Sequence, residues 1–187
     1  MGLSSGIISI DALVYSSWNL APRSGVALSY GFPRVLPNGA PDVDRNGFVP
    51  MSAAQQDAAR AALSAWAAVA NIVFTEAGAG ADIRFGANDQ SGEGSTAYAY
   101  LPDAHQRQPS WVLVNKYAAA NNLLAPGEAG FTVLLHEIGH TLGLKHPGDY
   151  DAAGADTGGP WLPAAADSRD YTQMSYTRPY STLLPVR

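Results

Sequence analysis

Three histidines and a glutamate fall within one eleven-residue stretch, HEIGHTLGLKH, which runs from His136 to His146. His136 and His140 are four residues apart, so in a helix their imidazoles lie one turn apart on the same face. Glu137 lies on the neighbouring face, within reach of a water held between the rings. Three neutral histidines with one open coordination position are the ligand set of a catalytic zinc site.

A glycine is what brings the third histidine to the other two. Gly143 follows His140 by three residues and can adopt the left-handed conformation that ends helices. The chain can then turn sharply, so that His146 approaches the first two rings. The alternative is an amphipathic helix that happens to carry histidines. We favour the metal site, because the chain has only four histidines and three of them lie here at ligand spacing.

This set of residues is suited to the hydrolysis of an amide. Zinc held by three imidazoles lowers the pKa of a bound water to about 7 and polarises a carbonyl. Glu137 can accept the proton of that water as attack begins and later pass it to the leaving amine. No serine or cysteine nucleophile is required. The sequence therefore predicts peptide-bond hydrolysis with Glu137 as the catalytic base.

Composition excludes several other classes. The chain has 187 residues, of which 47% are apolar and 14% charged, as expected for one globular domain. Its net charge of -5, without any basic run, argues against nucleic acid or an anionic membrane as a partner. Because there is no cysteine, disulfides and thiolate metal sites are excluded. The N-terminus lacks the basic start and apolar core of a classical signal peptide, and no segment approaches the roughly 20 apolar residues of a membrane helix.

Hydrophobic periodicity predicts two long helices and five strands around the motif. Ser52 and Gln55 form a capping box at the start of the first helix, and the second helix carries the motif. The predicted helices are Ser52–Ala70 and Ala129–Leu142, and the predicted strands are Val26–Phe32, Ile72–Thr75, Asp82–Gly86, Thr96–Leu101 and Trp111–Asn115. Residues 1–25 are predicted to be a loop with apolar anchors, namely Ile10, Leu13, Val14 and Trp18.

One predicted strand has the properties of a sheet edge. The segment TAYAYL alternates between small and large side chains and is ended by Pro102, as edge strands often are. An edge exposes unpaired N–H and C=O groups, to which an extended peptide can add as a further strand. The predicted substrate-binding residues are therefore Thr96, Ala97, Tyr98, Ala99 and Tyr100.

A second motif suggests a different metal. Asp42, Asp44 and Asn46 imitate the opening of a calcium-binding loop, and Gly47 follows them. The glutamate required at the twelfth position is absent, because Ala53 stands there. Asp, Asn and Gly also form ordinary turns. We favour a turn between Pro37 and Gly47 and keep calcium as the alternative.

Two residues downstream of the motif are candidates for a role at the site. Tyr176 follows Met174 by two residues. Its phenol could either ligate the zinc when no substrate is bound or donate a hydrogen bond to the tetrahedral oxyanion. Met174 by itself would be interpreted as a core residue, because methionine commonly fills gaps.

These segments together resemble the serralysin branch of the metzincin zinc endopeptidases. The resemblance is carried by HEIGHTLGLKH, by the PGDY segment that follows it and by QMSY, and it extends to the first helix, AYAYLP and the N-terminal IDAL stretch. It covers most of the chain. The resemblance implies zinc on His136, His140 and His146, Glu137 as general base, Tyr176 as a switchable ligand and oxyanion stabiliser, and Met174 in a tight turn beneath the metal.

The resemblance also implies a fold and a setting. The fold would be α+β, with a twisted, mostly parallel five-stranded sheet, one antiparallel edge strand, two long helices and an active-site cleft between an upper and a lower subdomain. The enzyme would be extracellular and would cut protein or peptide substrates. It would act as a monomer, and the resemblance allows a proteinaceous inhibitor as a further partner.

The chain departs from that family in its extent. Residues 1–187 show no glycine–aspartate repeats and end about where the family's helix after the methionine turn would begin, so we expect either a fragment of a longer protein or a minimal relative. We therefore expect residues 1–187 to form a single catalytic domain. Two alternatives remain for its function: a zinc amidase or narrow-specificity peptidase that acts on one partner, and a non-catalytic peptide-binding relative. The intact Glu137 argues against the second of these.

Overall fold

The computed structural model describes residues 4–18, 24–102, 108–150 and 158–178. Within these ranges the helices are α1 (Ile8–Asp11), α2 (Asp42–Arg45), α3 (Ala53–Ala67) and α4 (Ala129–Thr141), and a 3-10 turn spans Ala119–Asn122. The strands are β1 (Val26–Gly31), β2 (Ile72–Glu76), β3 (Ile83–Asn88), β4 (Ala97–Ala99) and β5 (Ser110–Asn115). None of the helices in the described part of the chain is long and apolar enough to cross a bilayer.

The five strands form one sheet in the order β2-β1-β3-β5-β4. Four strands are parallel, and β4 pairs antiparallel with β5 at the edge. This confirms the predicted mixed sheet with one antiparallel edge strand. Every residue of β5 is buried, as expected for a central strand that is covered on both faces. The edge position of β4 leaves one side of its backbone available for pairing.

Helix α3 packs against the sheet through small and apolar side chains. Ser52 and Gln55 form the predicted capping box, in which each side chain accepts a hydrogen bond from the other residue's backbone N–H. The helix ends at Ala67, three residues earlier than predicted. Val69, which lies inside the predicted helix, is 79% exposed. Its position was wrong because the chain leaves the helix before Val69 can face the core.

Helix α4 packs beside α3 and contributes to the same core. Phe131, Leu134 and Ile138 recur at three- and four-residue spacing and are buried. His136 and His140 lie on another face, which lines a cleft. The core beneath them is formed by side chains from both helices and from the sheet, including Leu28, Leu63, Ile83, Phe85, Val112 and Val114.

The N-terminal segment is attached differently from the prediction. It contains the short helix α1 rather than only loop, and two of its predicted anchors, Ile10 and Val14, are exposed. The attachment is instead made largely by the backbone, because the N–H of Lys145 donates to the carbonyl of Leu13. Trp18 also packs on the core and donates its indole N–H to the carbonyl of Thr141. The segment therefore lies against the C-terminal end of α4.

The predicted turn between Pro37 and Gly47 contains α2 and supports the edge strand. Asp44 is only 2% exposed, and its Oδ1 accepts hydrogen bonds from the hydroxyls of Tyr98 at 2.8 Å and Tyr100 at 2.7 Å. Burial and the Asp44 carboxylate raise the pKa of both tyrosines, which keeps them protonated as donors. Asp42 pairs with Arg45, and the Asn46 amide donates to the carbonyl of Asp89. These side chains thus have protein partners, and calcium binding stays a prediction.

We expect Asp44→Ala to lower the free energy of unfolding by about 2 to 4 kcal/mol. Two half-buried hydroxyls would lose their shared acceptor, and each such loss costs about 1–3 kcal/mol. Urea unfolding measures the change. Asp42→Ala is the matched control, because Asp42 is exposed and its ion pair contributes about 0.5 kcal/mol or less. Equal losses of unfolding free energy in the two variants would contradict a role for Asp44 in stabilising the edge strand.

Candidate active site

The end of α4 forms the turn that the sequence predicted. Gly143 has φ of +99°. Its N–H bonds to the carbonyl of His140, and the N–H of Leu144 bonds to the carbonyl of Gly139. This pair of hydrogen bonds is the Schellman arrangement, which requires a left-handed residue and strongly favours glycine. The reversal carries the chain back toward α4, so that His146 lies next to the helix.

Gly143 is also required because the N-terminal segment passes directly over it. A Cβ built on Gly143 would lie 2.1 Å from the carbonyl oxygen of Ser16. The carbonyl of Gly143 in turn accepts from the N–H groups of Tyr15 and Ser16. No side chain fits between these two backbone segments. The turn before His146 is therefore fixed from both sides.

The three histidines converge as predicted. The Nε2 atom of His136 lies 3.1 Å from that of His140 and 3.1 Å from that of His146, and the remaining pair is 3.2 Å apart. Tetrahedral zinc with Zn–N bonds of 2.0–2.1 Å needs nitrogens about 3.3 Å apart. The donor set therefore fits a zinc ion, whereas three facing lone pairs without a cation would repel each other.

Backbone carbonyls orient two of the rings. The Nδ1 of His136 contacts the carbonyl of Gln173 at 2.9 Å, and the Nδ1 of His140 contacts the carbonyl of Leu144 at 2.8 Å. A carbonyl can only accept, so each Nδ1 carries the ring proton and each Nε2 presents its lone pair. Such outer contacts fix the tautomer that a metal ligand needs.

Burial sets the protonation of the two side chains that open the motif. Burial, together with the neighbouring His140, lowers the pKa of His136 to about 3, so the ring is neutral at physiological pH. Burial raises the pKa of Glu137 to about 8 in the metal-free chain. A divalent cation at the histidines would lower that pKa again, because it favours the charged carboxylate. With the cation in place, Glu137 would be the carboxylate, the form that can accept a proton.

Tyr176 lies over the histidines. Its ring stacks on that of His136 with centroids 5.4 Å apart, and its centroid lies 4.4 Å from that of His146. The ring of Tyr150, which was not predicted to belong to the site, has its centroid 5.2 Å from that of Tyr176. The hydroxyl of Tyr150 donates to Asp167 and accepts from the N–H of Tyr176. The phenol of Tyr176 is thereby held close to the point where the three rings meet.

Met174 packs against the helix that carries His136 and His140. It is fully buried, and a Cβ built on Gly139 would lie 2.4 Å from its Sδ atom. The turn that carries Met174 therefore packs against α4 at Gly139, where the helix has no side chain. Met174 does not line the cleft, which agrees with its expected place beneath the site.

A cleft of about 1180 Å³ joins the histidines to the edge strand. One wall is the predicted segment Thr96–Tyr100, although only its central residues, Ala97–Ala99, form β4. Glu137, the histidines and Tyr176 lie in the same cleft. Several further lining residues were not predicted, because their types and spacing carry no signal for the cleft, namely Glu93, Thr132, Lys145, Arg169 and Gln173.

The comparisons with known proteins agree with this geometry. The family model described as Matrixin, a peptidase family, matches residues 45–155, which is more than half of the chain and includes the histidine motif. This chain belongs to the matrixin peptidase family. Curated relatives of the chain also confirm the predicted resemblance to serralysin-like metzincins.

Two curated relatives illustrate that kinship. Metalloprotease AprA of Pseudomonas entomophila is 36% identical over 167 residues, which cover 86% of this chain and 34% of that protein. Serralysin G of Dickeya chrysanthemi is 38% identical over 170 residues, covering 86% and 35% respectively. The chain thus spans about a third of the length of these relatives. A solved structure of myroilysin aligns with 88% of this chain and 74% of that one at 19% identity, with a TM-score of 0.42.

Proposed function

We propose that this chain is a zinc-dependent endopeptidase domain that hydrolyses peptide bonds in extended protein substrates. The observation that carries the proposal is the convergence of three histidine Nε2 atoms beside Glu137, in a cleft bordered by an edge strand. His136, His140 and His146 would hold the zinc. Bound zinc supplies a nucleophilic water with a pKa of about 7 and polarises the scissile carbonyl.

The substrate would bind along β4. The free side of β4 offers backbone N–H and C=O groups to an extended peptide, as sheet edges do in peptide recognition. Asp44 holds this strand through Tyr98 and Tyr100, so the backbone groups are positioned before substrate arrives. Such pre-ordering reduces the entropy lost on binding. The scissile bond would then lie between β4 and α4.

Glu137 and Tyr176 would perform the proton transfer and the charge stabilisation. Glu137 would accept a proton from the attacking water and pass it to the leaving amine, as a carboxylate beside the water can do. Tyr176 would donate a hydrogen bond from its hydroxyl to the developing oxyanion. A donor at this point stabilises the transition state more than the bound substrate, because the negative charge appears only in the transition state. Met174 would support the histidine helix by packing at Gly139, outside the lining of the cleft.

Metal analysis combined with digestion of gelatin tests the function. We expect a single zinc ion per chain, cleavage that stops when a chelator removes the zinc, and recovery when zinc is added back. Zinc binding without any cleavage would contradict the endopeptidase and favour a peptide-binding relative. Cleavage of one bond type alone in a peptide library would favour the amidase or the narrow-specificity peptidase.

Tyr176→Phe is expected to lower kcat by about tenfold or more and to change KM little. The variant removes one hydroxyl donor to the oxyanion while the ring still stacks on His136. Steady-state kinetics with one fluorogenic peptide separates the two parameters. Tyr171→Phe is the control, because it also removes one tyrosine hydroxyl, but Tyr171 is 70% exposed and does not line the cleft. A rise in KM at constant kcat in Tyr176→Phe would contradict this role.

Four further expectations stay predictions. They are calcium binding at Asp42, Asp44 and Asn46, recognition by a proteinaceous inhibitor, a monomeric state and an extracellular location. The first can be read from the same metal analysis, which would report calcium beside zinc.

A further inference from the structure

The cleft has few charged side chains, and they differ in how many hydrogen bonds they already make to protein groups. Among the described residues that line it, the only side chains that are charged in their ordinary ionised form are Glu93, Glu137, Lys145 and Arg169. Lys145 is buried, and its Nζ donates to the carbonyls of Gly158 and Pro160 and lies 3.6 Å from the ring centroid of Trp161. Its charge is therefore already matched by protein groups.

Arg169 is held in place but keeps donors to spare. Its backbone N–H donates to the carbonyl of Thr177, and its Nε donates to the carbonyl of Ser175 at 3.2 Å. Within the described part of the chain, its two Nη groups make no hydrogen bond or ion pair. The residue is exposed. One edge of the guanidinium is thus anchored on the turn that carries Tyr176, and the other edge is available.

The position of Arg169 puts its charge close to the reacting centre. It lines the same cleft as His136 and lies four residues before Gln173, whose carbonyl orients that histidine. Its positive charge also lowers the pKa of His136, after the larger effects of burial and the other histidines. A peptide paired with β4 would alternate its side chains between two faces, and Arg169, Gln173 and Tyr176 line the cleft that would hold it.

We propose that Arg169 forms a cationic subsite that binds an aspartate or glutamate side chain of a peptide in the cleft. A guanidinium presents its donors in a planar fork that matches a carboxylate. The inference rests on the proposed function, because it requires a peptide substrate. It adds a substrate class, namely extended peptides with an acidic residue near the scissile bond.

Matched peptides test the subsite in the wild-type chain. A cleaved fluorogenic sequence is varied at each position around the scissile bond, with glutamate or its neutral analogue glutamine. We expect kcat/KM to be about two- to fivefold higher for glutamate at one position, as suits an ion pair accessible to solvent. The preference should shrink as sodium chloride is raised, because salt screens exposed charges. Cleavage with equal rates for both peptides at every position would overturn the subsite and leave the endopeptidase intact.

Substitutions then assign the preference to Arg169. Arg169→Gln should make the glutamate and glutamine peptides equivalent, Arg169→Lys should keep most of the preference, and Arg169→Glu should favour a lysine peptide. Arg34→Gln is the control, since Arg34 is exposed, lies outside the cleft and changes the net charge equally. If Arg169→Gln lowers kcat/KM for both peptides by the same factor, the guanidinium only stabilises the turn at Ser175, and the proposal of a subsite is wrong. If no peptide is cleaved by the zinc-loaded wild type, the proposed function itself fails.

Discussion

Glu137→Gln is expected to lower kcat by about 10²- to 10⁴-fold while zinc remains bound. Glutamine has nearly the same shape but cannot accept and return a proton, and general-base catalysis contributes an effect of this size. The three histidine ligands and their backbone acceptors are not altered by the change. Single-turnover cleavage of a fluorogenic peptide measures the loss, and metal analysis of the same sample measures the zinc.

Two comparisons make the Glu137 result specific. His140→Ala should lose both zinc and turnover, because it removes one of the three converging Nε2 atoms. A peptide should still bind to the Glu137→Gln variant with near-normal affinity, since the edge strand is unchanged. Near-normal turnover in Glu137→Gln would show that another group takes the proton, and the assignment of Glu137 would be wrong.

Gly143→Ala is expected to unfold at a lower temperature and to bind zinc about 10- to 100-fold more weakly. The left-handed φ of +99° costs an alanine about 1–2 kcal/mol. The added methyl would also lie 2.1 Å from the carbonyl oxygen of Ser16, which belongs to a hydrogen-bonded backbone segment. Relief of that contact would displace His146, and loss of ligand orientation weakens metal binding on this scale. Thermal unfolding and competition with a zinc chelator measure the two effects.

Gly39→Ala is the matched control for that variant. Gly39 also has a positive φ, of +84°, but a Cβ there would have no neighbour within 4 Å. It should show only the conformational cost and should retain zinc fully. The difference between the two alanine variants isolates the close approach at Ser16. Equal zinc affinity in both would mean that the turn at Gly143 does not control the position of His146.

The site was predictable where short-range geometry defines it. The four-residue spacing of His136 and His140 follows from helical pitch alone, and the turn at Gly143 follows from the freedom of glycine. The start of α3 was equally local, because the capping box involves residues only three positions apart. These features need no knowledge of the rest of the fold.

The missed features depend on contacts between distant segments. Asp44 was assigned to a turn or to calcium, yet its carboxylate bonds to hydroxyls 54 and 56 residues further along the chain. Arg169 lies in a loop without periodicity, and only the folded cleft brings it beside the histidines. Ile10 and Val14 look like core residues in the sequence, but they are exposed because backbone hydrogen bonds attach the N-terminal segment.

The fit between Gly139 and Met174 has an evolutionary consequence. A glycine inside a helix costs about 1 kcal/mol relative to alanine, so its presence in α4 calls for a compensating benefit, and the sulfur that occupies the missing side chain's place supplies one. The two positions should consequently covary. A lineage that acquires a methyl group at position 139 should be viable only with a shorter or differently branched residue at 174, and a double substitution of that kind should recover what either single change loses.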